Sequence, residues 1–197
     1  MKNSILLLFT VAAVFTACNQ KSEKAAEAIA NAEATPSGTK EERIKRGEYL
    51  VTVMGCNDCH TPKKMTAQGP VLDSSRMLSG HNGSVPSSGF DTALTRKGEW
   101  IIMSSGITSF AGPWGMSFAA NLTPDATGLA GWTIDNFKTA IKKGKFKGIE
   151  AERTLLPPMP WQNLVNISDG DAEAIFDYLQ SLKPVSNKVP NAIIAQH

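Results

Sequence analysis

Cys56-Asn57-Asp58-Cys59-His60 sets two thiols three residues apart, with an imidazole directly after them, and reads as a covalent c-type haem attachment site. On a short helical turn, residues i and i+3 point the same way, so both sulfurs can bond the vinyl groups along one porphyrin edge. The backbone then places His60 under the iron as proximal ligand. Two other readings compete. A Cys-x-x-Cys pair also serves as a redox disulfide or as half of a zinc site. Zinc needs further ligands, and outside the motif the only cysteine is Cys18 and the only histidines are His81 and His197. A thioredoxin-like site belongs in an alternating βαβ pattern, which is not visible here. One covalently attached haem c is the expectation.

The N-terminus speaks to location. Lys2 followed by the apolar run Ile5 to Ala13 has the form of an export signal, too short for a stable membrane span. The run ends in Phe15-Thr16-Ala17-Cys18, which resembles a bacterial lipoprotein cleavage box. Residues 1–17 are therefore expected to be a lipoprotein signal peptide and Cys18 the lipidated terminus. Lipidation also accounts for an odd cysteine in an exported chain; the bland alternative is a leftover thiol. Residues 18–40, rich in Ala, Glu, Lys and Asn, carry few large apolar groups and read as a flexible tether. The formal charge of +2 is close to balance, which argues against nucleic acid as a partner. Acylation would hold the chain at the membrane instead.

Residues 41–197 form the remaining domain, with its core at about 43–185, one haem motif and no visible repeat. A helix is expected from about Glu41 to Gly55, with Ile44, Tyr49, Leu50, Val53 and Met54 as a partial apolar face. Another runs from about Thr133 to Lys143, with Ile134, Phe137, Ala140 and Ile141 inward and Gly144 as its stop. The clearest helix follows the N-cap Ser168, where Ala172, Ile175, Phe176, Leu179 and Leu182 make one stripe before Lys183-Pro184. Gly, Pro and Ser punctuate 61–130, so this stretch reads as an insertion around the haem edge. Trp100–Met103 and Ile107–Phe110 are its candidate hairpin.

Together these features resemble class I c-type cytochromes over most of residues 43–185, which implies a mainly α fold with an enlarged loop or short β-hairpin insertion. Arg46-Gly47-Glu48-Tyr49-Leu50, Cys59-His60-Thr61-Pro62, Asn121-Leu122-Thr123-Pro124-Asp125 and Pro158-Met159-Pro160-Trp161 look like the cytochrome subunits of membrane-associated dehydrogenases. The resemblance implies terminal helices crossing near Gly47, with Phe176, Tyr178 and Leu179 as contacts. It implies a proline carbonyl, here Pro70, as acceptor for the second nitrogen of His60. It also places haem attachment outside the bacterial cytoplasm.

The distal iron position separates a shuttle from an enzyme. Met159 is the favoured ligand: the prolines of Leu155-Leu156-Pro157-Pro158-Met159-Pro160-Trp161 stiffen its loop, and its place before the last helix matches the family pattern. Its bland reading is core filling. Met54 and Met65 lie close to the motif on the proximal side, Met77 and Met103 lack a stiff setting, and Met116 is the rival. His81 and His197 are read as a solvated loop side chain and a mobile end. Arg76, Arg153, Trp100, Trp114, Trp132 and Trp161 are open between haem contacts and ordinary packing. Lys138, Lys142 and Lys145, with Lys143 and Lys147 nearby, either steer an acidic partner or simply solvate a helix end.

The expected function is single-electron transfer by a lipid-anchored, mono-haem protein in the cell envelope, facing the periplasm or cell exterior. Its partners would be redox proteins on the dehydrogenase or terminal-oxidase side. The competing class is a haem enzyme or gas sensor with an open distal site, such as a peroxidase, although no His-Arg pair announces one. A lipoprotein without haem is the third reading.

Overall fold

The computed structural model describes residues 38–84 and 93–195. The signal segment 1–17, most of the tether, Cys18 and His197 lie outside the described residues. Within them the fold is mixed α and β, not mainly α: five α-helices stand beside two small antiparallel sheets.

Helix α1 (Lys40–Val53) starts on a capping box, with Thr39 Oγ1 accepting from Glu42 N and Glu42 Oε2 accepting from Thr39 N. Its buried face is Gly47, Leu50 and Val51, while Tyr49, Val53 and Met54 of the expected face are exposed. The face is turned because α5 (Asp169–Ser181) lies directly on Gly47. The expected contact Tyr178 is there, joined by the backbone of Ala174. Phe176 instead packs on Phe137 of α4 (Ile134–Lys143), with ring centroids 5.3 Å apart. Leu50, Val51, Leu78, Leu129, Phe137, Ile141, Ala172, Ile175 and Leu179 make one core between these helices. Both later helices start and stop as their sequences imply: Ser168 caps Asp171 N at 3.0 Å, and Gly144 ends α4 at φ 64°.

The segment 61–130 contains more strand than the one hairpin expected. After α2 (Cys56–His60), β1 (Lys63–Thr66) and β2 (Gly69–Leu72) pair antiparallel. A short helix α3 (Ala93–Arg96) precedes β3 (Ile102–Met103), β4 (Ser109–Gly112) and β5 (Gly115–Phe118), with β6 (Ile193–Ile194) completing the sheet order β3-β4-β5-β6. The expected hairpin exists but is shifted, pairing Ile102 with Ala111 and Met103 with Phe110. Ile107 sits in the turn at φ 54°, so the strand begins only at Ser109.

The chain after α5 returns across the molecule to reach β6. Val185 N and Asn187 N donate to Thr123 Oγ1 and Thr127 Oγ1 at 3.1 and 2.9 Å. Buried Asn187 donates through Nδ2 to the carbonyls of Ser79 (2.6 Å) and His81 (2.8 Å), and its Oδ1 accepts from Gly83 N at 3.1 Å. Asn187→Ala strips two buried carbonyls and the more open Gly83 N–H of their partner and is expected to lower the unfolding free energy by about 2–4 kcal/mol in a denaturant titration.

Candidate functional site

Gly55, left-handed at φ 70°, joins α1 to α2 and starts the motif turn. Cys56 and Cys59 are free, half-buried thiols at i and i+3 of that helix. Burial pushes both thiols up, and Lys63 pulls Cys59 part of the way back. Thr61, fully buried, clamps the end of the turn: Oγ1 donates to Asn57 Oδ1 at 2.8 Å and accepts from Leu78 N at 2.9 Å.

His60 Nδ1 lies 2.8 Å from the carbonyl of Ala120. A carbonyl only accepts, so Nδ1 carries the proton and Nε2 keeps the lone pair that a metal needs. Burial pushes this imidazole below its ordinary range, which favours the neutral form. The acceptor is therefore Ala120 and not Pro70. Pro70 is exposed on β2 opposite Met65, because the β1–β2 hairpin carries it away from α2. Ala120 arrives through a different pairing: Gly80 N donates to His60 O at 2.7 Å, His81 N to Ala119 O at 2.8 Å and Leu122 N to Leu78 O at 2.8 Å. Gly80 makes that approach possible, since a Cβ there would sit 2.5 Å from Ala119 O. Asn121 stiffens the same stretch, its Oδ1 accepting from Thr123 N and Thr123 Oγ1 at 2.9 and 2.8 Å. The Asn-Leu-Thr-Pro-Asp string was the available signal, although a backbone carbonyl next to it carries none of its own.

Met159 is half-buried in its loop, with its N donating to Leu156 O at 3.3 Å and its O accepting from Trp161 N at 2.9 Å. The loop is fastened to β5 by Ser117 Oγ, which donates to Pro157 O at 2.6 Å. Trp161 packs on Gly144 at the end of α4. Met116 is buried in β5, between Ala111 and Ile193. The stretch Ser117–Ala120 thus holds the Met159 loop at one end and His60 at the other, at most about 10 Å of chain apart.

His81 is buried, not solvated. Its Nδ1 lies 2.9 Å from Thr108 Oγ1, its ring packs on Phe118 at 4.9 Å, and burial pushes its pKa down. Arg76 Nε, Ser79 Oγ and His81 Nε2 are buried without hydrogen-bond partners among the described residues, all within a stretch whose Gly80 N donates to His60 O. A buried guanidinium nitrogen with no acceptor among the described residues, in a chain that also presents two free thiols and a neutral imidazole, fits a group with anionic carboxylates such as haem. Arg153 stacks over Phe146 at 4.0 Å, Trp114 covers Gly112, Trp132 packs against the core and Trp100 is exposed.

The lysines of α4 are paired. Lys138 reaches Asp169 and Glu173 at 3.1 and 2.8 Å, Lys142 reaches Asp169 at 2.6 Å, and Lys143 meets Glu150. They tie α4 to α5 and to the following loop, so their charge is largely offset at the surface. Among the described residues no helix is long and apolar enough to cross a membrane, and no three His, Cys, Asp or Glu side chains group to hold a bare metal ion.

No family model matches the chain. Among curated proteins it is similar to a nicotinate dehydrogenase subunit of Pseudomonas putida, 34% identical over 79 residues, which are 40% of this chain and 6% of that protein. It is 28% identical over 145 residues to the gluconate 2-dehydrogenase cytochrome c subunit of Pantoea cypripedii, covering 73% of this chain and 24% of the relative. It is 29% identical over 120 residues to the cytochrome c subunit of the quinone alcohol dehydrogenase of Gluconobacter oxydans, covering 51% and 24%. The chain spans a quarter or less of the length of these relatives. Two of these relatives are named as cytochrome c subunits of dehydrogenases, and the likeness supports a cytochrome c-like protein.

Proposed function

We propose that this chain is a mono-haem c-type electron carrier, lipidated at Cys18 and held in the cell envelope, that catalyses no bond-making of its own. The observation that carries the reading is the motif turn itself: two free thiols on one side of α2 and a His60 whose Nδ1 is committed to Ala120. Haem c, when bound, supplies reversible one-electron chemistry at iron. Cys56 and Cys59 would hold it through thioethers, His60 Nε2 would take one axial position and Met159 the other. The unpartnered Nε of Arg76 would be available to a propionate.

The protein's own part is to keep the ligands still. Ala120 fixes the imidazole plane and tautomer, and Thr61 pins the turn to Leu78. Ser117 and Trp161 brace the Met159 loop from two sides. A shell that need not rearrange when iron changes charge suits electron transfer. A thioether on the second axial position would close the iron to small molecules. The names of the relatives favour a dehydrogenase as electron donor; the proposal adds a terminal oxidase downstream, and acylation and the 18–40 tether would let the domain reach both from the membrane surface.

Met159→Ala is expected to abolish the sulfur-to-iron charge-transfer band and to open the iron to cyanide or carbon monoxide, whereas Met116→Ala keeps the band. An unchanged spectrum in Met159→Ala moves the ligand to Met116 or His81.

A further inference from the structure

Two neighbouring lysines on β1 meet different fates. Successive strand side chains point to opposite faces. Lys64 turns to Asp73, whose Oδ1 lies 2.9 Å away, so a carboxylate offsets its charge. Lys63 turns to the haem motif. Its Nζ donates to the carbonyl of Asp58 and, at 3.5 Å, to that of Asn57. Both acceptors are neutral backbone groups, and among the described residues Lys63 forms no ion pair. The acid whose charge acts on it is Asp58, and the Asp58 carboxylate, on an exposed residue, is turned toward Gly55.

This arrangement holds an ammonium that no carboxylate pairs with, among the described residues, against the turn that carries both thiols and His60. Lys63 is half-buried, so its charge is less screened there than at the open surface. It also covers carbonyls whose dipoles point their negative ends out of the last turn of α2. Removing the ammonium deletes a positive charge and uncovers that negative end. Both changes act in the same direction on any centre held by the turn, making it harder to add an electron.

We infer that Lys63 is a charge-setting residue for the redox centre of this chain, raising its affinity for the electron through the ammonium held on the Asn57 and Asp58 carbonyls. The inference rests on the carrier reading above. It assigns Lys63 no contact with iron and no proton transfer: one electron enters the ferric state to give the ferrous state, and the ammonium keeps its protons throughout. Lys63 also differs from the lysines of α4, whose charges are spent on Asp169, Glu173 and Glu150.

The test is the equilibrium midpoint potential of the purified, haem-loaded full chain, read optically at neutral pH and low salt. Lys63→Gln, which keeps a donor but loses the charge, is expected to weaken electron affinity roughly three- to tenfold. Lys63→Arg should stay near the parent value, and Lys64→Gln should not move it. A parent-like potential in Lys63→Gln overturns the inference while leaving the carrier reading intact. An equal fall in Lys63→Gln and Lys63→Arg also overturns it, because geometry would then matter and charge would not. Should Lys63→Gln fail to take up haem, Asp58→Asn decides: an upward shift supports the field argument and no shift overturns it. If the parent protein itself holds no covalent haem, both readings fall together.

Discussion

The double variant Cys56→Ala/Cys59→Ala is expected to lose covalent haem completely, with no haem stain following the polypeptide on a denaturing gel. Each single variant should keep one thioether and show an absorption band moved to longer wavelength, because one vinyl group stays conjugated with the ring. The expectation comes from where the sulfurs sit. They are one helical turn apart on the same side of α2, and the turn is clamped at both ends by Gly55 and Thr61. His60→Ala tests the same site from the iron side. It removes the donor to the Ala120 carbonyl as well as the free Nε2, so haem that still attaches should bind ligands on a second face. Cys56 also packs against the core, so the double variant is expected to lose stability along with haem. Haem retained on the gel by the double variant would refute covalent attachment through these thiols.

How much of this was readable in the chain depends on how local the cause is. The α4 stripe could be read because Phe137, Ala140 and Ile141 recur at helical spacing, and all three are buried. Ser168 and Gly144 announced their helix ends by residue type alone. The motif turn was equally local, since five consecutive residues hold its chemistry. The face of α1 was not readable from its apolar pattern, because its orientation is set by the approach of α5 at Gly47, over a hundred residues away; only the family resemblance implied that crossing. The β-strands were only partly visible: several are two to four residues long, too short for an alternation to emerge. The acceptor of His60 was the hardest case. A backbone carbonyl leaves no mark on residue type, and Ala120 is delivered by pairing of 78–81 with 119–122. Likewise the burial of His81 comes from Thr108, Phe118 and the returning Asn187, none of them close in sequence.

Gly47 is where a single added carbon is expected to do the most damage to the fold. A Cβ at this position would lie 2.0 Å from Ala174 O, 2.6 Å from its carbonyl carbon and 2.7 Å from Tyr178 Cβ. The first two are backbone atoms of α5, so no rotamer change relieves the contact and the helices must separate. Against this, alanine is the better helix former by about 1 kcal/mol, which on an isolated helix would stabilise. Overpacking costs typically about 1–3 kcal/mol and more where the backbone must move. Gly47→Ala is therefore expected to lose about 2–4 kcal/mol net, and Gly47→Val to leave little folded protein. The ion pairs across the same crossing, Arg43–Asp177 at 2.6 Å and Arg46–Asp171 at 2.9 Å, would be stretched too. Arg43–Asp177 is half-buried and Arg46–Asp171 more open, and neither is shut off from water, so they contribute only about 0–1 kcal/mol each and cannot hold the helices together alone. Lys45→Ala, on the exposed side of α1, serves as the control and should unfold with the parent. The measurement is thermal or denaturant unfolding followed by helical circular dichroism. If Gly47→Ala proved as stable as the parent, the helix propensity term would have won, and the close α1–α5 contact could not be as tight as the geometry has it.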